Sequence, residues 1–481
     1  MDFVLQNKKC DREDIAMSDA VTYVESLMKR AREAQKSIEF ATQEQVDRVV
    51  ESMAWHAVQP EFARALAELG VSESGMGDVD SKYAKMMNKV RAGWLDMKGA
   101  KTVGVIEENH DKGLIKIAKP VGVVGAVIPS TNCEATPVLK VTWAIKTRNA
   151  IILAPHPKTK NTNTMVVDLL RKVLEKHGMN PDLVINLDQV SLDNTQELMR
   201  QCDLILATGG PGLVKAAYHS GTPAYGVGAG NAMSVVDETQ DMAKVAEKIR
   251  MSKTFDQATS CSSENSVAVY EGVYDEFIAA MEKEGGYLVS ASEKKKLEKA
   301  MWPEGTNLNR DVVGHPATDI AKIANIKLPE GKTFFMVEES GIGPDYIFSR
   351  EKLSVVVAIY KWKEFDEAIE LVNNITTFEG TGHSCGIHSS NKERVLQLST
   401  QVKVSRVMVN QPQSLSNSGS WTNHMPTTLT LGCGSWGGNI VSENITFKHL
   451  LNTTWVSFPV ANRQPSDVIL FSNEVRHETL D

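Results

Sequence analysis

The run Val121-Gly122-Val123-Val124-Gly125-Ala126-Val127-Ile128 decides how the chain folds. Every position is apolar or small, the texture of a strand buried on both faces; a strand with one wet face alternates instead. Short apolar runs return at 150–154, 183–187, 204–207 and 234–236, and helical segments are expected between them at 161–176, 194–201 and 212–219. Strands that alternate with helices predict a mostly parallel sheet covered on both faces, a doubly wound α/β arrangement. The pattern resumes with helices expected at 242–251 and 274–284 and strands at 266–269 and 354–359, which implies a second α/β unit.

Upstream, Val21, Val24, Leu27, Met28 and Ala31 recur at helical spacing, as do Val46, Val49, Val50, Met53, Ala54 and Ala57. These read as amphipathic helices packed on something larger. Another helix is expected over 81–97, closed by Gly99. Segments 102–107 and 114–118 flank a turn at 109–113, which predicts a hairpin in an extended arm. Stretches 301–349 and 411–438, rich in Gly, Pro, Asn or Ser, read as irregular structure over a surface or cleft.

At 481 residues and 42% hydrophobic content the chain is long enough for more than one core. A net charge of −8 speaks against nucleic acid, whose phosphates call for clustered Lys and Arg. Six cysteines, at 10, 133, 202, 261, 385 and 433, form no CxxC pair and no Cys/His metal spacing. No metal site is expected, and a reducing cytoplasm is. The polar first residues hold no signal-like apolar segment and no long apolar run occurs, so no membrane contact is expected either.

Chemistry concentrates in Thr259-Ser260-Cys261-Ser262-Ser263, where small polar neighbours leave room around a sulfur able to attack a carbonyl carbon. A lone cysteine is equally a common core residue, so the rest of the chain must decide. Gly209 and Gly210 lie between a strand and a helix, where bare backbone approaches phosphate, although such glycines also serve turn geometry alone. Gly228 lies in a second small-residue loop, 226–231, with the same two readings. His156 and Lys158 follow one strand at its carboxyl end, and Ser130 and Asn132 follow another. Ligands of α/β sheets bind at that end. Asn132 is either an oxyanion donor or a helix cap.

The chain resembles the CoA-acylating branch of the aldehyde dehydrogenase superfamily, the group that also forms the first half of bifunctional aldehyde-alcohol dehydrogenases. The resemblance runs over 19–457 and is carried by Pro129-Ser130-Thr131-Asn132, Lys146-Thr147-Arg148-Asn149-Ala150-Ile151-Ile152, Pro155-His156-Pro157, Ala207-Thr208-Gly209-Gly210-Pro211-Gly212, segment 226–231, Ser252-Lys253-Thr254-Phe255-Asp256 and segment 429–439. It implies an aldehyde dehydrogenase-like α/β fold of two doubly wound domains plus a β-hairpin oligomerisation arm. A cofactor domain would span 1–100 and 120–231, a catalytic domain 232–448, the arm 101–119 and 449–460, and a tail 461–481. The arm implies a homodimer or homotetramer. Nothing after Asp481 would hold an alcohol dehydrogenase domain.

By the same resemblance Cys261 is the nucleophile, Asn132 and the Cys261 N–H form the oxyanion hole, and Glu351 holds the nicotinamide ribose. Ser130, His156, Lys158, Gly209, Gly210 and Gly228 complete the cofactor contacts. His383 matches a family histidine near the cleft but receives no role, Glu264 stays outside the site, and Trp436 and Cys433 are packing residues. Hydrolytic relatives place a carboxylate where loop 226–231 has none, so coenzyme A rather than water is expected to take the acyl group. Polar residues at 411–424 and the pair Cys133-Glu134 suggest a small polar or anionic aldehyde, with sulfoacetaldehyde ahead of acetaldehyde. NAD or NADP would serve, since Lys158 and Lys160 tolerate a 2′-phosphate. The rival readings are a hydrolytic aldehyde dehydrogenase, a redox-free cysteine acyltransferase and a catalytically silent homologue.

Overall fold

The computed structural model describes residues 2–480. Five parallel strands form one sheet in the spatial order Val184–Asn186, Ala150–Pro155, Val123–Ile128, Leu204–Thr208, Ala224–Val227. The run Val123–Ile128 is fully buried at all six positions, as its unbroken apolar reading requires. Chain order reverses beside this strand, so the loops leaving Val123–Ile128 and Leu204–Thr208 diverge and open a crevice at their carboxyl ends. Segments 129–132 and 208–210 border that crevice.

A second, seven-stranded parallel sheet runs Gly286–Leu288, Phe334–Glu338, Val356–Trp362, Ser266–Tyr270, Met233–Val236, Cys385–His388, Val407–Val409. Each sheet sits in its own hydrophobic cluster, the first around Ile152, Leu170 and Trp143, the second around Phe277, Phe335 and Tyr360. Strand Met233–Val236 belongs to this second sheet, although its texture continues that of the first. The expectation of irregular structure over 301–349 is corrected: the stretch contains a helix, Ala317–Ala324, and the strand Phe334–Glu338. Their short apolar runs are framed by Gly and Pro, which mask them in sequence.

A three-stranded antiparallel sheet joins Gly104–Asn109, Leu114–Pro120 and Leu451–Ser457. The last strand pairs on one side only and carries exposed Trp455. Among the described residues no helix is long and apolar enough to cross a membrane.

One close approach ties the sheets to the site. A Cβ on Gly230 would fall on the Cys261 carbonyl oxygen. Gly230→Ala should therefore shift the 259–263 loop and abolish most turnover while leaving the far-ultraviolet circular dichroism unchanged; a variant with ordinary kcat would show that this contact does not set the loop.

Candidate active site

Cys261 lies in the loop between the helix Met242–Thr254 and the strand Ser266–Tyr270. Just before it, Asp256, Gln257 and Ala258 hold φ of 49°, 52° and 60°. Left-handed backbone costs a residue with a Cβ about 1–2 kcal/mol, so three in succession need an anchor. The Asp256 carboxylate supplies it, accepting hydrogen bonds from the Asp78 N–H (3.0 Å), the Thr259 hydroxyl (2.6 Å), Lys82 Nζ (3.1 Å) and Lys85 Nζ (2.7 Å). Lys85 also meets Glu134 at 2.9 Å, and all four charged residues are buried. Burial works to raise the Asp256 carboxyl, but Lys85 and Lys82 outweigh it and hold it below the usual range. Burial likewise opposes the Lys85 ammonium, and Asp256 and Glu134 reverse that.

The same lysine orients the candidate oxyanion donor. Lys85 Nζ donates to Asn132 Oδ1 at 2.6 Å, which fixes the orientation of the carboxamide. The Asn132 amide nitrogen lies 3.5 Å from Thr131 Oγ1, its one hydrogen-bond acceptor among the described residues, and Asn132 lines the space beside Cys261. Lys82 and Lys85 come from the helix Val79–Lys85, which continues through the π-turn Met86–Val90 into the helix Arg91–Met97. The expected single helix over 81–97 is thus interrupted by a π-bulge, a feature frequent at functional sites.

His383 Nε2 lies 3.1 Å from Cys261 Sγ, and its Nδ1 lies 2.9 Å from the Ser384 hydroxyl. Complete burial, helped by the nearby Arg406 guanidinium, pushes the imidazole down to about 3. Burial also raises the Cys261 thiol, with Glu351 and Cys433 adding to the effect, to about 12; Arg406 and the Ser262 hydroxyl work the other way. The pair therefore rests as neutral thiol and neutral imidazole. An imidazole within hydrogen-bond reach of a nucleophile is the arrangement of a general base.

Two spaces meet at the sulfur. A cleft of about 750 Å³ is lined by Ser130, Asn132, His156, Gly209, Gly210, Gly228, Glu351 and Cys261, among others. Each residue assigned to the site from sequence lines it except Lys158, which is exposed and outside the lining, as is Lys160. Glu351 is held by the Gly230 N–H at 3.0 Å, and burial beside Glu379 raises its carboxyl to about 8. The second space, about 40 Å³, is walled by Lys85, Lys89, Ser414, Ser418 and Phe255 and shares Asn132, Thr259 and Cys261 with the cleft. Cys433 packs with Val227 and Leu431 against Cys261, whereas Trp436, expected to pack, is half exposed.

Sequence reasoning assigned no role to His383 and overlooked Lys82, Lys85 and Asp256. The first was visible as a family match; the lysines fell in the helix expected over 81–97 and carried no signal of their own.

Residues 13–294 match the model of the aldehyde dehydrogenase family. The chain is similar to a sulfoacetaldehyde dehydrogenase of an Acholeplasma species, 46% identical over 454 residues and covering 93% of each chain. An acylating sulfoacetaldehyde dehydrogenase of Bilophila wadsworthia is 44% identical, with 91% of this chain and 95% of that one covered.

The chain belongs to the aldehyde dehydrogenase family.

The solved structure of an acetylating aldehyde dehydrogenase from Geobacillus thermoglucosidasius superposes with a TM-score of 0.90 at 36% identity, covering 94% of this chain and 99% of that one. The enzyme is an oxidoreductase of the acylating group of aldehyde dehydrogenases.

Two outcomes test this geometry. Asp256→Ala strands two buried ammoniums on one carboxylate and should lower stability by about 3–5 kcal/mol in urea unfolding; a loss within error would remove Asp256 as the anchor of the turn. Alkylation of Cys261 by iodoacetamide, followed by peptide mass spectrometry, should accelerate through alkaline pH without levelling below about pH 10, since only the thiolate reacts. Glu351→Gln removes a negative charge that opposes the thiolate, so the rise should begin at lower pH. A plateau near pH 8.5 in the native enzyme would mark an ordinary thiol.

Proposed function

We propose that the enzyme oxidises a small aldehyde, sulfoacetaldehyde first and acetaldehyde second, to its coenzyme A thioester with NAD or NADP. The observation that carries this reading is the Cys261–His383 pair at the junction of a large cleft and a small chamber, beside a loop, 226–231, that holds no acid. The small chamber, about 40 Å³, adjoins the sulfur and suits a small aldehyde. The two relatives named for sulfoacetaldehyde support the substrate choice.

The residues present fit a dinucleotide. A Cβ on Gly210 or Gly228 would meet no protein atom within 4 Å, so bare backbone there faces open cleft and packing does not demand it. Gly209 and Gly210 would take the pyrophosphate beside the helix Pro211–His219, and Ser130, His156 and Glu351 would hold the remainder. A bound nicotinamide supplies the acceptor for the aldehyde hydride.

The chain's own groups perform the rest. His383 Nε2 takes the thiol proton as Sγ attacks the carbonyl carbon. The resting acidities of the pair make a free ion pair costly, so proton transfer and carbon–sulfur bond formation proceed together. The oxyanion that forms is met by the Asn132 amide and the Cys261 N–H, while Lys85 keeps the carboxamide from turning. Loss of hydride from that carbon leaves a thioester on Sγ. The imidazolium gives up its first proton to solvent, the one proton the overall oxidation releases; the coenzyme A thiol then gives its proton to the freed imidazole as it attacks the thioester, and the imidazolium returns that proton to Cys261 as its sulfur departs. Water lacks a carboxylate on the 226–231 loop to activate it, which disfavours the hydrolytic reading. The antiparallel sheet built on Leu114–Pro120 is proposed as an oligomerisation arm, because its outer strand Leu451–Ser457 leaves one edge unpaired.

Reduction of NAD and NADP should be followed with sulfoacetaldehyde and with acetaldehyde, each in the presence and absence of coenzyme A. Turnover that requires coenzyme A and favours sulfoacetaldehyde is expected. Equal rates without coenzyme A would establish hydrolysis instead, and acyl transfer without cofactor reduction would establish a transferase.

A further inference from the structure

The small chamber beside Cys261 contains a charge that the mechanism does not use. Lys82 and Lys85 are matched by Asp256 and Glu134, two ammoniums against two carboxylates. Lys89, from the π-turn Met86–Val90, is buried in the same wall and takes part in no ion pair among the described residues. Its Nζ donates to two backbone oxygens, Leu415 O at 3.2 Å and Gly419 O, which leaves one of three protons uncommitted. In the same lining, next to Gly419, Ser418 is 6% exposed and its hydroxyl makes no hydrogen bond to protein among the described residues. A buried cation without a counter-anion is costly, and here it lines, with the Ser418 hydroxyl, one small space that Cys261 also lines.

We infer that Lys89 and Ser418 form an anion anchor that receives the sulfonate of the aldehyde while its carbonyl meets Cys261 and Asn132. The inference rests on the proposed aldehyde oxidation and adds the groups that select a charged substrate. A sulfonate offers three acceptor oxygens and a full negative charge, which the Lys89 ammonium and the Ser418 hydroxyl complement. Burial, with Lys85 nearby, lowers the Lys89 ammonium to about 8, and a bound anion would restore it. A neutral aldehyde brings no such compensation, so the empty charge works against it and selectivity follows from both effects.

The competing role for Lys89 is a tether for the 415–419 loop, and two variants separate the possibilities. Lys89→Met removes the charge and the tether together; Ser418→Ala leaves the tether in place. The readout is the ratio of kcat/KM for sulfoacetaldehyde to that for acetaldehyde. Loss of one partner of a buried charge pair should lower this ratio roughly 30-fold or more in Lys89→Met, and loss of a hydrogen bond to a charged group should lower it about 10-fold in Ser418→Ala. Ethanesulfonate, which carries the anion without the carbonyl, should compete with acetaldehyde in the native enzyme and lose that competition in both variants. An unchanged ratio in both, or an equal fall for the two aldehydes, would overturn the anchor. If the native enzyme fails to oxidise sulfoacetaldehyde yet ethanesulfonate competes and both variants abolish this, the anchor stands and the substrate assignment falls.

Discussion

The Asp256 carboxylate, clasped between the buried ammoniums of Lys82 and Lys85, is the interaction on which the site depends. It holds three successive residues in left-handed backbone, and the cysteine loop leaves that turn at Thr259, whose hydroxyl donates to the same carboxylate. Through Lys85 the cluster also fixes the Asn132 carboxamide. Nucleophile and oxyanion donor come from different layers of the molecule, one following the helix Met242–Thr254 and the other following the strand Val123–Ile128, and one buried ion cluster sets their relation. Ion clusters of this kind add little net stability over apolar packing, but breaking one leaves an uncompensated buried charge. Their value here is geometric.

Dryness has a second consequence. The medium that makes the cluster rigid also keeps Cys261 and His383 neutral at rest. A standing thiolate would be open to oxidation and stray alkylation; a thiol that loses its proton only as it bonds to carbon is protected until substrate arrives. The proposed choice of a charged substrate rests on the same balance of charges. Where the cluster is neutral it positions, and the one ammonium left over, at Lys89, is the proposed anchor for an anion.

Much of the fold was legible in the sequence, because a fully buried strand such as Val123–Ile128 leaves an unbroken apolar signature and its helices keep a clear period. The short strands Gly286–Leu288 and Val407–Val409 were not legible, unlike Val184–Asn186 and Met233–Val236, since so short a run carries no period and is specified by its neighbours in the sheet. Phe334–Glu338 was hidden by the Gly- and Pro-rich composition around it. Lys158 shows the converse limit: its place after a strand suggested the cleft, but the short turn Pro157–Thr159 leaves it in solvent.

By itself the sequence determined the α/β layering, the family and the absence of an acid in the 226–231 loop, and it singled out Cys261 as the candidate nucleophile, because each is written in a contiguous run of residues. Only the tertiary structure decided that His383, 122 positions away, is the group at the sulfur. It also decided that Lys82, Lys85 and Lys89 turn inward. A helix bearing lysines on one face reads as solvated, and nothing local distinguishes it from one whose face meets a buried carboxylate. The distinction depends on Asp256, more than 160 residues downstream, and burial becomes favourable only when the two arrive together.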